Sequence, residues 1–158
     1  EIVETYRPTV IKGNISECKA FYGLTSYAHG VDAASDDQED VYQSVTWLKE
    51  LALHTGCIVV CSGKMDIITD GEQAVIIRNG CEMMGVVTGT GCMLNVAIAT
   101  FLASFEPFEA CLKATCYYEV AAEKTKANGP GTFHMHFMDE IYQLTEEDEA
   151  FFKTEVVR

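Results

Sequence analysis

The stretch Gly56-Cys57-Ile58-Val59-Val60-Cys61-Ser62-Gly63 decides the fold class. Its central residues, 57–61, form an apolar run that lies between a glycine and a serine–glycine pair. An uninterrupted apolar run of this length, bounded by turn residues, is typical of a strand that is buried on both faces. Strands of this kind occur in parallel sheets covered by helices, so the run predicts an α/β fold.

The residues before this strand supply a helix and an earlier strand–helix pair. Apolar side chains recur at helical spacing within residues 40–54, and Thr55-Gly56 ends that helix. Residues 9–11 predict a short buried strand and residues 14–22 a short helix, while residues 30–37 predict a polar loop. The chain therefore opens with strand, helix, helix and the central strand.

The residues after the central strand predict a meander of strands followed by helices. Residues 66–70, 73–78 and 83–87 have strand character, and Asp70-Gly71 and Asn79-Gly80 are hairpin turn signals between them. Helices are predicted over residues 91–103, 107–127 and 132–143, and the acidic tail adds a last turn. The expected fold is a layered α/β sheet with an antiparallel edge.

Bulk composition narrows the class of protein. The chain has 158 residues, 48% of them hydrophobic, and a net charge of -13, which argues against a nucleic-acid partner. No apolar run reaches the roughly 18–20 residues that a membrane helix needs, and the N-terminus lacks the pattern of a signal peptide. Seven cysteines without a CxxC pair indicate reduced thiols, so we expect a cytoplasmic protein without a membrane partner.

The segment Thr88-Gly-Thr-Gly-Cys92 is the first candidate site. A predicted strand leads into a glycine turn that opens an apolar helix, and such a helix start favours a bound anion. Cys92 falls in the first turn, where a thiol is a plausible base or nucleophile. The alternative, given equal weight from spacing alone, is a glycine-rich helix cap with a buried cysteine.

The segment Lys12-Gly-Asn-Ile-Ser-Glu17 is the second candidate site. Asn14 and Glu17 lie three residues apart at a helix start, so their oxygens face one way and suit Mg²⁺ with its water shell. Lys12 adds a cation. The alternative, favoured on this segment alone, is a capping box with Asn14 as N-cap and Glu17 at N3.

Ser62-Gly-Lys-Met-Asp66 follows the central strand and is the third candidate. Ligands of open α/β sheets gather beyond the carboxyl ends of the strands, so the Ser62 hydroxyl is placed to contact a nucleotide. On its own, the segment is more often an ordinary turn.

Taken together, the motifs resemble one family. Three more motifs accompany these segments: Gly30-Val-Asp32, Ile67-Ile-Thr-Asp-Gly71 and Gly129-Pro-Gly-Thr-Phe133. In their order along the chain and in their spacing, the six motifs together resemble hydroxyethylthiazole kinase, a member of the ribokinase-like superfamily. The resemblance spans residue 8 to about residue 145. It implies that residues 1–158 are the C-terminal portion of a single ribokinase-like kinase domain whose N-terminal part is absent here.

The resemblance also implies a reaction and roles for the candidate residues. ATP phosphorylates the hydroxyl of 5-(2-hydroxyethyl)-4-methylthiazole, with Mg²⁺, in thiamine biosynthesis or salvage. Cys92 stands where most ribokinase-like enzymes have Asp and is the implied proton acceptor. The roles implied for the other residues are an anion hole at Gly89, Thr90 and Gly91, a substrate contact at Gly89, ATP contacts at Lys12 and Ser62, and Mg²⁺ association at Asn14 and Glu17.

Two sequence departures and two rival functions accompany this assignment. Lys12 replaces the family's usual Arg and Ser62 stands where Thr is common. The resemblance implies a homotrimer for the full-length enzyme and an inactive isolated fragment. The rivals are another ribokinase-like kinase, of the hydroxymethylpyrimidine type, and a non-catalytic nucleotide-binding remnant. Cys92 in place of Asp disfavours the first of these, and retention of the candidate residues disfavours the second.

Overall fold

A computed structural model describes residues 2–24 and 40–158 of the chain. The predicted loop 30–37 and the motif Gly30-Val-Asp32 lie outside these residues. The elements, in chain order, are α1 (Ile2–Tyr6), β1 (Val10–Asn14), α2 (Ile15–Leu24), α3 (Val41–Thr55), β2 (Ile58–Ser62), β3 (Asp66–Thr69), β4 (Ala74–Ile77), α4 (Met83–Val86), α5 (Thr90–Phe101), α6 (Pro107–Lys124), α7 (Pro130–Gln143), a 3-10 helix (Glu146–Phe151) and β5 (Thr154–Val157). They form two compact units, one of Glu1–Ile76 with Glu155–Arg158 and one of Ile77–Thr154.

The first unit carries a five-stranded sheet in the order β1-β2-β3-β4-β5. β1 pairs with β2 in parallel, from Val10 opposite Ile58 to Asn14 opposite Ser62. β2 pairs with β3 in the antiparallel sense. The predicted α/β sheet with an antiparallel edge is therefore confirmed.

The central strand β2 is buried as its sequence predicts. Val59, Val60 and Cys61 are successive residues whose side chains point to opposite faces, and all three are buried. Leu48 and Leu51 of α3 belong to the same hydrophobic core as Val59 and Cys61. Helix α3 therefore covers one face of the strand with its apolar side.

Helix α3 has a defined start and a defined end. The Asp40 side chain accepts a hydrogen bond from the Tyr42 amide at 3.2 Å, which caps the helix start. Gly56, with φ of 67°, ends the helix in the left-handed conformation, and its amide donates to the Ala52 carbonyl at 2.8 Å. The predicted helix over residues 40–54 is confirmed to within one residue at each end.

The second unit is built from helices. The longest of them, α6, is buried along most of one side, and Phe133 and Phe137 of α7 are almost fully buried. Pro107 and Pro130 begin α6 and α7, where the missing proline amide costs no hydrogen bond. The three helices predicted from the sequence correspond to α5, α6 and α7 of this unit, and α7 starts two residues earlier than expected. No helix in the described part of the chain is long and apolar enough to cross a bilayer.

Two of the expected strand features are wrong. Residues 83–87 do not form a strand, because α4 occupies Met83–Val86 and none of its residues is buried. The backbone there bonds locally, with the Met84 amide donating to Cys81 and the Val87 amide to Met83, both at 3.1 Å. The element that leads into the glycine turn is therefore a short helix, and Asn79-Gly80 is not a hairpin turn.

Asn79 has a different structural role, which explains the error. Its side chain is buried, accepts from the Lys153 amide at 2.7 Å and donates to the Phe151 carbonyl at 3.0 Å. The asparagine therefore holds the segment that follows the 3-10 helix. That segment leads into β5 at the sheet edge, a strand that the sequence patterns did not predict.

Candidate active site

The glycine turn before α5 adopts a conformation that requires glycine. Gly89 is the N-cap residue of α5 and has φ of 99° and ψ of −11°, in the left-handed region. A Cβ built on Gly89 would meet no atom within 4 Å, so the requirement comes from the backbone and not from lack of space. The turn leaves an open surface at the positive end of the helix dipole.

Thr90 ties this turn to the preceding helix. Its Oγ1 donates to the Met84 carbonyl at 2.9 Å and lies 3.3 Å from the Val87 carbonyl. Since the hydroxyl is directed back into the loop, any contribution of Thr90 to anion binding would come through its backbone amide. Thr90 therefore acts locally as the link between α4 and α5.

Cys92 is the third residue of α5 and is exposed. The alternative of a buried cysteine at this position is wrong. Cys81 is half-buried and the other five cysteines are buried, so Cys92 is the most accessible thiol of the seven. The structure thus places an exposed thiol in the first turn of a helix, while its role as proton acceptor stays a prediction.

The candidate residues of the first unit meet at the carboxyl ends of two parallel strands. Asn14 ends β1 and Ser62 ends β2, and the two residues are directly paired. The Ser62 hydroxyl donates to the Gly13 carbonyl at 3.3 Å, and Lys12 lies half-buried two residues before the end of β1. After β2 the chain turns through Gly63, whose amide donates to Asp66 Oδ1 at 2.9 Å.

A small cavity of about 100 Å³ lies at this edge of the sheet. The residues that line it include Ser62, Gly63 and Lys64 of the turn and Ile15 of α2. The second candidate segment contributes only Ile15 to this cavity, and Lys12, Asn14 and Glu17 do not line it. The third segment lines it directly, at the position expected for a ligand beyond the strand ends of an α/β sheet.

Asn14 and Glu17 form the capping box that was the alternative to a metal site. The Glu17 amide donates to Asn14 Oδ1 at 2.9 Å, and the Asn14 amide donates to Glu17 Oε2 at 2.8 Å. A Cβ on Gly13 would lie 3.1 Å from Glu17 Cβ, so glycine makes room for this arrangement. Both side chains are exposed and present oxygen atoms, the ligand type that Mg²⁺ prefers, so the pair fits a hydrated Mg²⁺ as well as a cap.

The second unit also contains a contact that the sequence did not indicate. The hydroxyl of Tyr118, on α6, donates to the backbone carbonyl of Thr90 at 2.8 Å. Helical periodicity places Tyr118 on the buried side of α6 but gives no signal for the partner of its hydroxyl. Sequence reasoning therefore missed a residue that contacts the backbone of the candidate anion hole.

A larger cavity of about 740 Å³ lies in the second unit, and Tyr118 is among the residues that line it. Its walls come from the C-terminal half of α5, from α6 and from the segment around the 3-10 helix, and include Phe101, Phe105, Tyr117 and Glu149. Residues 88–92 do not line it. The larger cavity is therefore not formed by the glycine turn or by the exposed Cys92.

Comparison with known proteins identifies the family. The profile of the hydroxyethylthiazole kinase family matches residues 1–147. The chain belongs to the hydroxyethylthiazole kinase family. It is 38% identical over 157 residues to hydroxyethylthiazole kinase of Pyrococcus furiosus, a match that covers 95% of this chain and 57% of the relative. It is 34% identical over 151 residues to hydroxyethylthiazole kinase 2 of Clostridium botulinum strain Langeland, covering 93% of this chain and 57% of the relative.

Solved structures confirm the fold. The chain superposes on hydroxyethylthiazole kinase of Pyrococcus horikoshii with a TM-score of 0.81 and 29% identity, covering 94% of this chain and 55% of that one. Pyridoxal kinase of Staphylococcus aureus, solved with pyridoxal, matches with a TM-score of 0.56 at 18% identity, covering 99% of this chain and 54% of that one. The ribokinase-like fold predicted from the motifs is confirmed, and the chain spans between half and three fifths of the length of these family members.

Proposed function

We propose that this chain carries the phosphate-binding and proton-accepting part of an ATP-dependent kinase for the hydroxyl of 5-(2-hydroxyethyl)-4-methylthiazole. The product would serve thiamine biosynthesis or salvage. The observation that carries the proposal is the exposed Cys92 thiol three residues after Gly89, in the first turn of α5. Membership of the hydroxyethylthiazole kinase family supports the substrate.

The glycine turn and the helix start would stabilise the transferring phosphoryl group. Negative charge spreads over the phosphoryl oxygens in the transition state. This charge would be stabilised by the helix dipole and by preorganised backbone amides near Gly89, Thr90 and Gly91. Gly89 has no side chain, so the substrate alcohol can approach the turn closely. Positioning and charge neutralisation account for most of the catalysis in phosphoryl transfer.

Cys92 would accept the proton of the substrate alcohol. A proton acceptor positioned next to the attacking oxygen is worth about 10²- to 10⁴-fold in rate. Because the transition state of phosphoryl transfer is loose, the alcohol loses its proton late, and a weak base is sufficient. The exposure of Cys92 is consistent with access for a small alcohol.

The first unit would bind the nucleotide. Lys12 supplies a positive charge and Ser62 a hydroxyl at the strand ends, and both suit contacts with ATP. Mg²⁺ bound with ATP supplies positive charge to the phosphate oxygens. Asn14 and Glu17 would hold that ion through its bound water, using the side chains that also cap α2.

Two further features belong to the proposal. We expect the complete enzyme to be a cytoplasmic homotrimer, as the family resemblance implies.

The second candidate function is a kinase for hydroxymethylpyrimidine on the same fold. The observation that separates them is Cys92, since a carboxylate is the usual residue at this position in the wider superfamily.

A substrate comparison tests the function. The complete gene product that contains this chain should transfer phosphate from ATP to hydroxyethylthiazole with a kcat/KM at least about tenfold above that for hydroxymethylpyrimidine, because a polar mismatch in a built pocket costs at least that much. Product formation is measured by mass spectrometry with both alcohols under the same conditions. Turnover of the pyrimidine alone would overturn the thiazole assignment, and turnover of neither would favour the non-catalytic remnant.

A further inference from the structure

Tyr118 is buried against the core of the second unit in a fixed orientation. Its ring meets the Phe137 ring edge-on, with centroids 4.8 Å apart and planes at 73°. Phe137 is itself almost fully buried and stacks on Phe133 at 5.4 Å. Edge-to-face packing between buried rings leaves the tyrosine few alternative rotamers, so the position of its hydroxyl is set by the core.

The Tyr118 hydroxyl is hydrogen-bonded to the backbone of Thr90. It donates to the Thr90 carbonyl at 2.8 Å, a normal hydrogen-bond length. Burial raises the pKa of Tyr118, so the group stays protonated and remains a donor over the whole range in which a kinase works. The bond is therefore a constant feature of the fold and does not depend on pH near neutrality.

The residue that receives this bond sits between two glycines. Gly89 and Gly91 flank Thr90, and glycines leave a backbone permissive. Thr90 is nevertheless held at two points, because its hydroxyl bonds the Met84 carbonyl and its own carbonyl accepts from Tyr118. The first bond ties the turn to α4, and the second ties it to the aromatic rings that pack between α6 and α7.

We propose that Tyr118 is a positioning residue for phosphoryl transfer, which fixes the first turn of α5 through the Thr90 carbonyl and so orients the amides of the turn and the Cys92 thiol. The inference rests on the proposed function and deepens it. It does not require Tyr118 to touch a substrate. It requires that the orientation of the first turn of α5 affects catalysis more than it affects stability. The experiment must therefore separate an effect on catalysis from an effect on stability.

The neighbouring residue provides a matched control. The hydroxyl of Tyr117 donates to Glu149 Oε1 at 3.0 Å and makes no bond to the turn before α5. Tyr117→Phe and Tyr118→Phe therefore remove the same atom from adjacent positions of one helix. A general effect of losing a tyrosine hydroxyl from α6 would appear in both variants, while a positioning effect appears only in Tyr118→Phe.

The test combines kinetics with thiol reactivity on the complete gene product. Tyr118→Phe is expected to lower kcat for the thiazole alcohol about fivefold, the size of one lost hydrogen bond, while the KM values for ATP and alcohol stay unchanged. The rate of Cys92 alkylation by iodoacetamide, followed on its peptide by mass spectrometry, is expected to change at least about twofold for the same reason. Tyr117→Phe should match the parent protein in both measurements.

Each outcome decides the inference. A Tyr118→Phe protein with a lowered melting temperature but with parental kcat and parental Cys92 alkylation would show a structural bond only and would overturn it, as would equal effects in the two variants. If the protein phosphorylates no alcohol, the proposed function fails, and the alkylation rates still decide whether Tyr118 sets the geometry at Cys92. Should Tyr118→Phe not fold, Phe137→Leu, which loosens the ring and keeps the hydroxyl, must change Cys92 alkylation in its place.

Discussion

Replacing Cys92 by alanine is expected to lower kcat for the thiazole alcohol by about 10²- to 10³-fold, the usual cost of removing a positioned proton acceptor. KM values should change little, because the thiol acts on the proton in the transition state and contributes little to ground-state binding. The exposed position of Cys92 means that alanine there leaves no buried cavity, so the free energy of unfolding should change by less than about 0.5 kcal/mol.

Two further variants make this result specific. Cys92→Asp is expected to recover part of the lost kcat, since a carboxylate is also a proton acceptor. Cys81→Ala removes another thiol of the second unit, one that is half-buried and outside the glycine turn, and should leave kcat unchanged. Full turnover by Cys92→Ala in steady-state assays would contradict the base role and leave the family assignment intact.

Replacing Gly89 by alanine is expected to have the second largest effect. Its φ of 99° is one that an L-residue adopts only with strain, and we expect a loss of about 1–2 kcal/mol in the free energy of unfolding. If the turn relaxes to relieve the strain, the amides move away from the phosphoryl oxygens. The kcat should then fall by about 10²-fold, as for loss of one oxyanion-hole donor.

Gly85→Ala is the matched control for this change. Gly85 lies inside α4 without a positive φ, and a Cβ there would meet no atom within 4 Å. Alanine therefore fits at this position without strain, and this variant should keep its stability to within about 0.5 kcal/mol and its full activity. Chemical denaturation and kinetics on both variants check the pair. Gly89→Ala with parental stability and parental kcat would show that the conformation of the turn is unimportant.

Strong local patterns predicted most of the fold. The apolar run at residues 57–61, bounded by turn residues, is typical of a buried strand, and the apolar spacing in residues 40–54 is typical of a helix. These elements have apolar patterns that match their burial, so sequence and structure agree. The glycine turn and Cys92 could also be predicted from the sequence, because a glycine at a helix start is a local feature.

Features that depend on distant partners were not predictable in this way. Asn79-Gly80 has the composition of a hairpin turn, yet the buried Asn79 side chain bonds the backbone of Phe151 and Lys153, more than seventy residues later. The bond from Tyr118 to Thr90 also joins residues 28 apart. The Asn14–Glu17 pair shows a different limit, since the same two oxygens suit a helix cap and a hydrated metal, and the cap is what the structure contains.

The most direct test of the account asks whether a phosphate group binds next to Cys92. The rate of Cys92 alkylation by iodoacetamide is measured on the complete gene product with increasing ATP and Mg²⁺, with the Cys81 peptide as internal reference. We expect saturable protection that reaches about tenfold at a ligand concentration near ten times Kd. Protection should persist when the thiazole alcohol is omitted. An alkylation rate of Cys92 that stays the same at every ATP concentration, in a protein that phosphorylates its substrate, would contradict a phosphate site at the start of α5.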